Sequence, residues 1–303
     1  MVVSDVAAIR PPRLRRGSRV ALIAPAGPVA EDRVDVALAR CREFGLEPVP
    51  GRSARARHGY LAGDDAARSA DLAWALGAPD IDAVWALRGG YGTMRLLVGV
   101  DLAPLRERPR AYIGFSDNTA VHMALRARGL VSFHAPHAGG DMTGLAQDCF
   151  ERVLFHAEPA GVLEQPATPA SVTLTGGTAE GPLVGGNLAI LAAMCGTPAP
   201  PIARGSILFL EDVGEAPYRI DRAWTQLLLC GALDGVAGIA FGRFTECGVD
   251  NVVETLHELS APLGVPVVAE LPIGHEPDNW TLPLGIRARL ADGGLELLEA
   301  AVD

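Results

Sequence analysis

At 303 residues, 49% of them hydrophobic and 20% charged, the chain is long enough for one large domain or two medium ones. A formal charge of -10 argues against nucleic acid or an anionic membrane as the main partner. All 26 basic residues are arginine, which excludes Schiff-base chemistry, a serine–lysine dyad and a phosphate-binding loop ending in Gly-Lys-Ser/Thr.

In chain order, Arg13 to Ala30 places basic residues before VALIAPAGPVA and so imitates a secretory leader. Pro25, Gly27 and Pro28 break the apolar run, however, and a buried strand over Arg19 to Ala24 followed by a loop is expected instead. No stretch reaches the ~20 apolar residues of a membrane span. Glu31 to Phe44 carries Val34, Leu38, Cys41 and Phe44 near helical spacing. A second apolar run, Ile81 to Leu87, stops at Arg88-Gly89-Gly90-Tyr91-Gly92. A third, Ala111 to Phe115, is followed at once by Ser116-Asp117-Asn118 and a helical pattern through Val121, Leu125 and Arg128. Strands alternating with helices predict an α/β fold with a mostly parallel sheet.

From Ala157 to Glu180 the pattern lapses into Pro, Thr and Gly, the composition of a linker. The expected division is therefore an N-terminal domain over 1–156, a linker over 157–180 and a smaller α/β domain over 181–303. In the latter, Gly185-Gly186-Asn187 opens an apolar helix to about Cys195. Ser206 to Leu210, Val236 to Phe241 and Pro266 to Leu271 read as strands. Pro217 to Cys230 and Val252 to Leu259 read as helices, and Leu282 to Leu298 as two strands around Asp292-Gly293-Gly294.

In open α/β sheets, ligands collect at the carboxyl ends of strands. Three polar groups fall there: Ser116 after AYIGF, Glu211 after SILFL, and His275 shortly after VPVVAELPIG. They are the parts of a relay in which an imidazole takes a hydroxyl proton and a carboxylate fixes its tautomer. Each has a bland alternative: Ser116 suits a helix N-cap, Glu211 could pair with Arg219 or Arg222, and His275 could be an exposed loop residue. The backbone N–H groups of Asp117 and Gly90 are the candidate oxyanion donors. No G-x-S-x-G elbow and no G-x-G-x-x-G fingerprint is present. His134 and His137 are three apart, but no third ligand stands at sensible spacing, so no metal is expected. His58, His122, His156 and His257 suit surface or packing roles, and Trp280 the core. The five cysteines, Cys41, Cys149, Cys195, Cys230 and Cys247, are scattered and odd in number, as expected of free thiols in the cytoplasm.

Together, G-F-S-D-N-T at 114–119, R-G-G-Y-G at 88–92, G-G-N-L at 185–188, L-E-D-V-G-E-A-P-Y-R-I-D-R at 210–222 and I-G-H at 273–275 resemble the LD-carboxypeptidase family of serine peptidases. That family includes muramoyltetrapeptide carboxypeptidase and the microcin C self-immunity peptidases. The resemblance runs from Arg19 to the final strands. It implies Ser116 as nucleophile, Glu211 as carboxylate and His275 as base, with Asp117 and Gly90 forming the oxyanion hole. It also implies a Rossmann-like N-terminal domain, a smaller β-rich C-terminal domain, a homodimer, and no metal or organic cofactor. Arg88, Tyr91 and Asn187 are candidates for gripping substrate. The implied reaction removes a C-terminal D-residue, D-alanine from murein tetrapeptide in cell-wall recycling.

The nearest alternative is a microcin-type peptidase acting on aminoacyl-nucleotide carboxamides. It would want an aromatic platform on an inserted loop, and the interdomain stretch here is short and lacks Trp. An inactive ligand-binding module using the same cleft is the alternative from another class.

Overall fold

The computed structural model describes residues 8–201, 203–248, 252–291 and 293–303. Its N-terminal half alternates strands and helices: β1 (Arg19–Ile23), α1 (Glu31–Glu43), β2 (Glu47–Pro50), α2 (Asp65–Gly77), β3 (Ala83–Ala86), α3 (Thr93–Leu96), β4 (Ala111–Gly114), α4 (Thr119–Arg126), β5 (Ser132–His134) and α5 (Gly144–Phe155). The strands β1, β3 and β4 are almost wholly buried along their length, the mark of a parallel sheet covered on both faces. Local signals fix helix starts: Asp64 accepts the Ala67 N–H at the head of α2, and Thr143 the Ala146 N–H at the head of α5.

The rest of the chain adds β6 (Gly161–Val162), β7 (Val172–Thr175), β8 (Ala179–Asn187), α6 (Leu188–Met194), β9 (Ile207–Val213), α7 (Pro217–Leu229), β10 (Gly238–Thr245), α8 (Val252–Ser260), β11 (Val267–Ala269), β12 (Leu282–Leu284), β13 (Arg287–Ala291) and β14 (Gly294–Leu297). Asp292, placed by the sequence in the turn between the last two strands, lies outside the described residues.

Two sheets result. The first has the order β12-β5-β4-β3-β1-β2, and the second β6-β14-β13-β8-β9-β10-β11-β7. Strands β1 to β5 pair in parallel, and so do β8 to β11. The alternation read from the sequence is thus present in both halves. Two features cut across the expected boundaries. The 157–180 stretch contributes β6 and β7 to opposite edges of the second sheet, and β12 returns to close the first sheet antiparallel to β5. Short, largely exposed edge strands rich in Thr and Gly carry little hydrophobic periodicity, so composition alone reads them as linker. Among the described residues no helix is long and apolar enough to cross a membrane.

Candidate active site

Ser116 directly follows the buried strand β4. Its backbone takes φ +60°, a left-handed conformation uncommon for a residue with a Cβ. The chain then enters a single 3-10 turn, Ser116–Asn118, and α4. Its hydroxyl does not cap either helix. The strained turn instead sends Oγ outward, to within 3.1 Å of His275 Nε2.

Glu211 sits inside β9, which runs further than the apolar run alone predicts, and is completely buried. Its Oε2 lies 2.8 Å from His275 Nδ1. Among the described residues its pairing is with this histidine, while Arg219 pairs with Glu215. A carboxylate can only accept, so His275 Nδ1 carries the proton and Nε2 offers its lone pair to the Ser116 hydroxyl. The His275 side chain is 20% exposed. It is set by the loop after β11, where Gly274 takes φ +132° and donates its N–H to Asn279 Oδ1 at 2.9 Å. A Cβ on Gly274 would stand 3.2 Å from Glu211 Oε2. The Phe115 ring meets the His275 ring edge-on, 4.8 Å between centroids.

Burial alone would lower the pKa of His275. The hydrogen bond and charge of Glu211, with the charges of Asp212 and Glu246, outweigh it and raise the pKa above 6.5. The neighbouring imidazoles behave oppositely. Burial holds His137 down to about 3 and His122 to about 4, and His134 well below 6.5. His137 packs on Phe115 and approaches the Phe115 carbonyl at 3.1 Å and Asn118 Nδ2 at 3.2 Å. Neutral imidazoles beneath Phe115 support the turn carrying Ser116 without competing for its proton. Among the described residues no cluster of three or more His, Cys, Asp or Glu side chains is arranged to hold a metal ion.

Opposite Ser116, the loop after β3 comes close. A Cβ on Gly89 would lie 2.9 Å from Ser116 Cβ and 3.3 Å from the Asp117 nitrogen, so only glycine fits without displacement. Gly89 is pinned in turn by the Gly27 N–H, which donates to its carbonyl at 3.1 Å. The backbone N–H groups of Asp117 and Gly90 make no hydrogen bond among the described residues. Free N–H groups beside a hydroxyl are chemically suited to receive a developing oxyanion. The Asp117 side chain is occupied elsewhere, accepting the Thr93 N–H at 2.9 Å.

The substrate-gripping candidates divide. Arg88 is exposed and donates to the Pro28 carbonyl at 2.9 Å. Tyr91 is exposed and meets Tyr60 edge-on at 5.7 Å. Asn187 is buried, its amide divided between Asp212 Oδ1 at 2.8 Å and the Ile190 N–H at the head of α6. Its own N–H donates to Thr119 Oγ1 at 3.1 Å, tying the end of β8 to the head of α4 just beyond Ser116. Trp280 is fully buried and donates to the Glu164 carbonyl. Sequence reasoning missed Phe115, Asn118, His137, Asp212 and Asn279 as parts of this assembly. Phe115 and Asn118 flank Ser116 and Asp117 in the sequence, Asp212 lies beside Glu211, and His137 is met there only as a metal-ligand candidate.

Known proteins resemble the chain along most of its length. The family models for the LD-carboxypeptidase N-terminal domain and C-terminal domain match residues 20–135 and 180–290. A murein tetrapeptide carboxypeptidase of Pseudomonas aeruginosa is 40% identical over 286 residues, covering 90% of this chain and 92% of that one. The crystal structure of muramoyltetrapeptide carboxypeptidase from Oxalobacter formigenes superposes with a TM-score of 0.80 at 33% identity, covering 93% and 99% of the two chains. The MccF-like protein from Bacillus anthracis superposes with a TM-score of 0.89 at 25% identity, covering 96% and 100%.

Proposed function

The chain belongs to the LD-carboxypeptidase family, and from that premise we propose that it removes the C-terminal D-alanine from a murein tetrapeptide, using Ser116 as nucleophile, His275 as base and Glu211 as the orienting carboxylate. The observation that carries this reading is the unbroken relay from buried Glu211 through His275 to Ser116, with contacts of 2.8 and 3.1 Å. Such a relay suits acyl transfer.

In the proposed reaction Ser116 Oγ attacks the carbonyl carbon of the scissile amide as its proton passes to His275 Nε2. The negative charge that develops on the carbonyl oxygen is received by the Asp117 and Gly90 N–H groups. Collapse breaks the C–N bond, and the His275 proton goes to the leaving D-alanine nitrogen. Water, deprotonated by the same imidazole, then attacks the ester on Ser116 and releases the tripeptide. Ser116 lies at the end of a first-sheet strand, whereas Glu211 and His275 belong to the second-sheet half. The substrate is proposed to bind where these strand ends meet, with Arg88 and Tyr91 on the rim. The proposal includes a cytoplasmic homodimer acting in peptidoglycan recycling; light scattering of the purified chain checks the assembly.

The test is incubation of the full chain with a defined murein tetrapeptide, following free D-alanine by mass spectrometry. An aminoacyl sulfamoyl-adenylate runs in parallel, because a structure of the same fold, the microcin C7 self-immunity protein MccF, is in complex with aspartyl sulfamoyl adenosine. Release of D-alanine that vanishes in Ser116→Ala supports the proposal. Cleavage of the nucleotide analogue alone favours the microcin-type reading. Binding without turnover of either substrate would leave a ligand-binding module.

A further inference from the structure

Away from the relay, the C-terminal ends of two packed helices bring two thiols together. Cys195 is the C-cap of α6 and Cys230 the C-cap of α7. Their sulfurs are 3.2 Å apart, although the residues are 35 positions apart in the chain. Each also lies near a carbonyl of its own helix, Leu191 at 3.7 Å and Leu227 at 3.4 Å. The two helices are held in this register by Gln226, whose Nε2 donates to the Ala192 carbonyl at 2.6 Å. Cys230 is exposed and Cys195 partly buried at the side of a shallow groove lined by Gly196, Arg222, Thr225 and Leu229. The other three cysteines are buried.

We propose that Cys195 and Cys230 form an oxidant-responsive dithiol that closes to an intramolecular disulfide when the protein meets a peroxide. The geometry needs little change: the sulfurs approach from 3.2 Å to the ~2.05 Å of a disulfide. The two partners differ in environment. Burial, followed by the hydrogen bond from Cys230, pushes the Cys195 thiol up to about 12, so it stays protonated. Cys230 is the accessible nucleophile. Its thiolate attacks one oxygen of hydrogen peroxide, breaking the O–O bond to give a sulfenic acid on Cys230 and hydroxide. The Cys195 sulfur then attacks the Cys230 sulfur, its proton joins the departing hydroxyl as water, and the S–S bond forms. In sum two thiols and one peroxide give one disulfide and two waters. Closure competes with further oxidation of Cys230 to the irreversible sulfinic acid, so the pair shields an exposed thiol that would otherwise be lost.

The test treats the reduced full chain with hydrogen peroxide, blocks remaining thiols by alkylation, and digests after arginine without reductant. Such cleavage places the two cysteines on separate peptides, 153–204 and 223–243. The expected result is one cross-linked peptide pair, about 2 Da lighter than the sum of its free-thiol members, which dithiothreitol separates. Cys230→Ser should abolish the link and leave Cys195 alkylatable, and Cys195→Ser should let a dimedone probe trap sulfenic acid on Cys230. Circular dichroism of both variants confirms that they are folded. Cys230 recovered unmodified or as sulfinic acid in the wild-type chain, or a link between two chains on a non-reducing gel, would overturn the proposal.

Discussion

Oε2 of the fully buried Glu211 lies 2.8 Å from Nδ1 of His275, and its Oε1 has no hydrogen-bond partner among the described residues. The carboxylate is thus spent on one imidazole, and its effect on that ring should dominate the chemistry. With its pKa raised above 6.5, His275 is neutral only on the alkaline side of that value. The acid limb of kcat/KM for D-alanine release should therefore lie above pH 6.5. Glu211→Gln keeps the shape but removes the charge and permits the wrong tautomer. We expect kcat to fall on the order of a thousandfold and the acid limb to move down in pH. Residual activity with an unmoved limb would refute the assignment of Glu211.

Gly89 tests how tightly the loop after β3 must approach. A methyl group there would stand 2.9 Å from Ser116 Cβ, closer than packing tolerates, so either the loop or the serine must move. Gly89→Ala should lower kcat by about 100-fold, because an ångström-scale displacement of nucleophile or oxyanion donor is enough to do so. The stability loss should be about 1–3 kcal/mol, as for other overpacked sites. Parallel kinetics and thermal unfolding separate these effects; full activity would mean the N–H groups near Gly89 do not serve the reaction.

Asn279 is a positioning residue: its Oδ1 accepts the Gly274 N–H immediately before His275. Asn279→Ala leaves that buried donor without a partner at a cost of about 1–3 kcal/mol. It should also lower kcat with little change in KM, since substrate binding does not require the imidazole to be aligned. A rise in KM with unchanged kcat would place Asn279 in substrate binding instead.

How legible all this was in the sequence depended on the range of each interaction. Ser116, Glu211 and His275, the proposed relay, stand at strand ends that an α/β pattern marks locally, by apolar runs that stop. The N-cap alternative for Ser116 could not be dismissed from sequence, since it turns on whether Oγ faces backbone or imidazole. Asn187, in the G-G-N-L motif, is a candidate for gripping substrate by sequence. Its commitment to Asp212 depends on β8 lying beside β9, where Asn187 aligns with Glu211. Phe115 stands beside Ser116 and His137 three residues from His134, but their roles, like that of Asn279, arise only where distant segments pack. The same holds for β12, three residues that join a sheet begun at Arg19.

The buried imidazoles give the fold an acid sensitivity whose sign is fixed. His122 and His137 have folded pKa values held to about 4 and about 3 by burial, and His134 is held well below 6.5 as well. In the unfolded chain all three titrate near 6.5. Their contribution to stability is complete above that value and is lost as pH falls below it, because the unfolded state then binds protons the native state refuses. His275 works oppositely: its raised pKa adds stability below 6.5 that is lost as pH rises through the folded value, so below 6.5 it adds no further slope. Between about pH 6 and 4 these three imidazoles should contribute up to ~4 kcal/mol per pH unit, opposed by Asp212, whose carboxyl is pushed by burial to about 6 and so takes up its proton first in the native state. Urea unfolding across that range measures it. His122→Gln can keep a donor and an acceptor near Ser132 Oγ and the Gly114 carbonyl and should flatten the slope by about one proton, or ~1.4 kcal/mol per unit. An unchanged slope in a folded variant would mean that His122 takes up its proton within the native state.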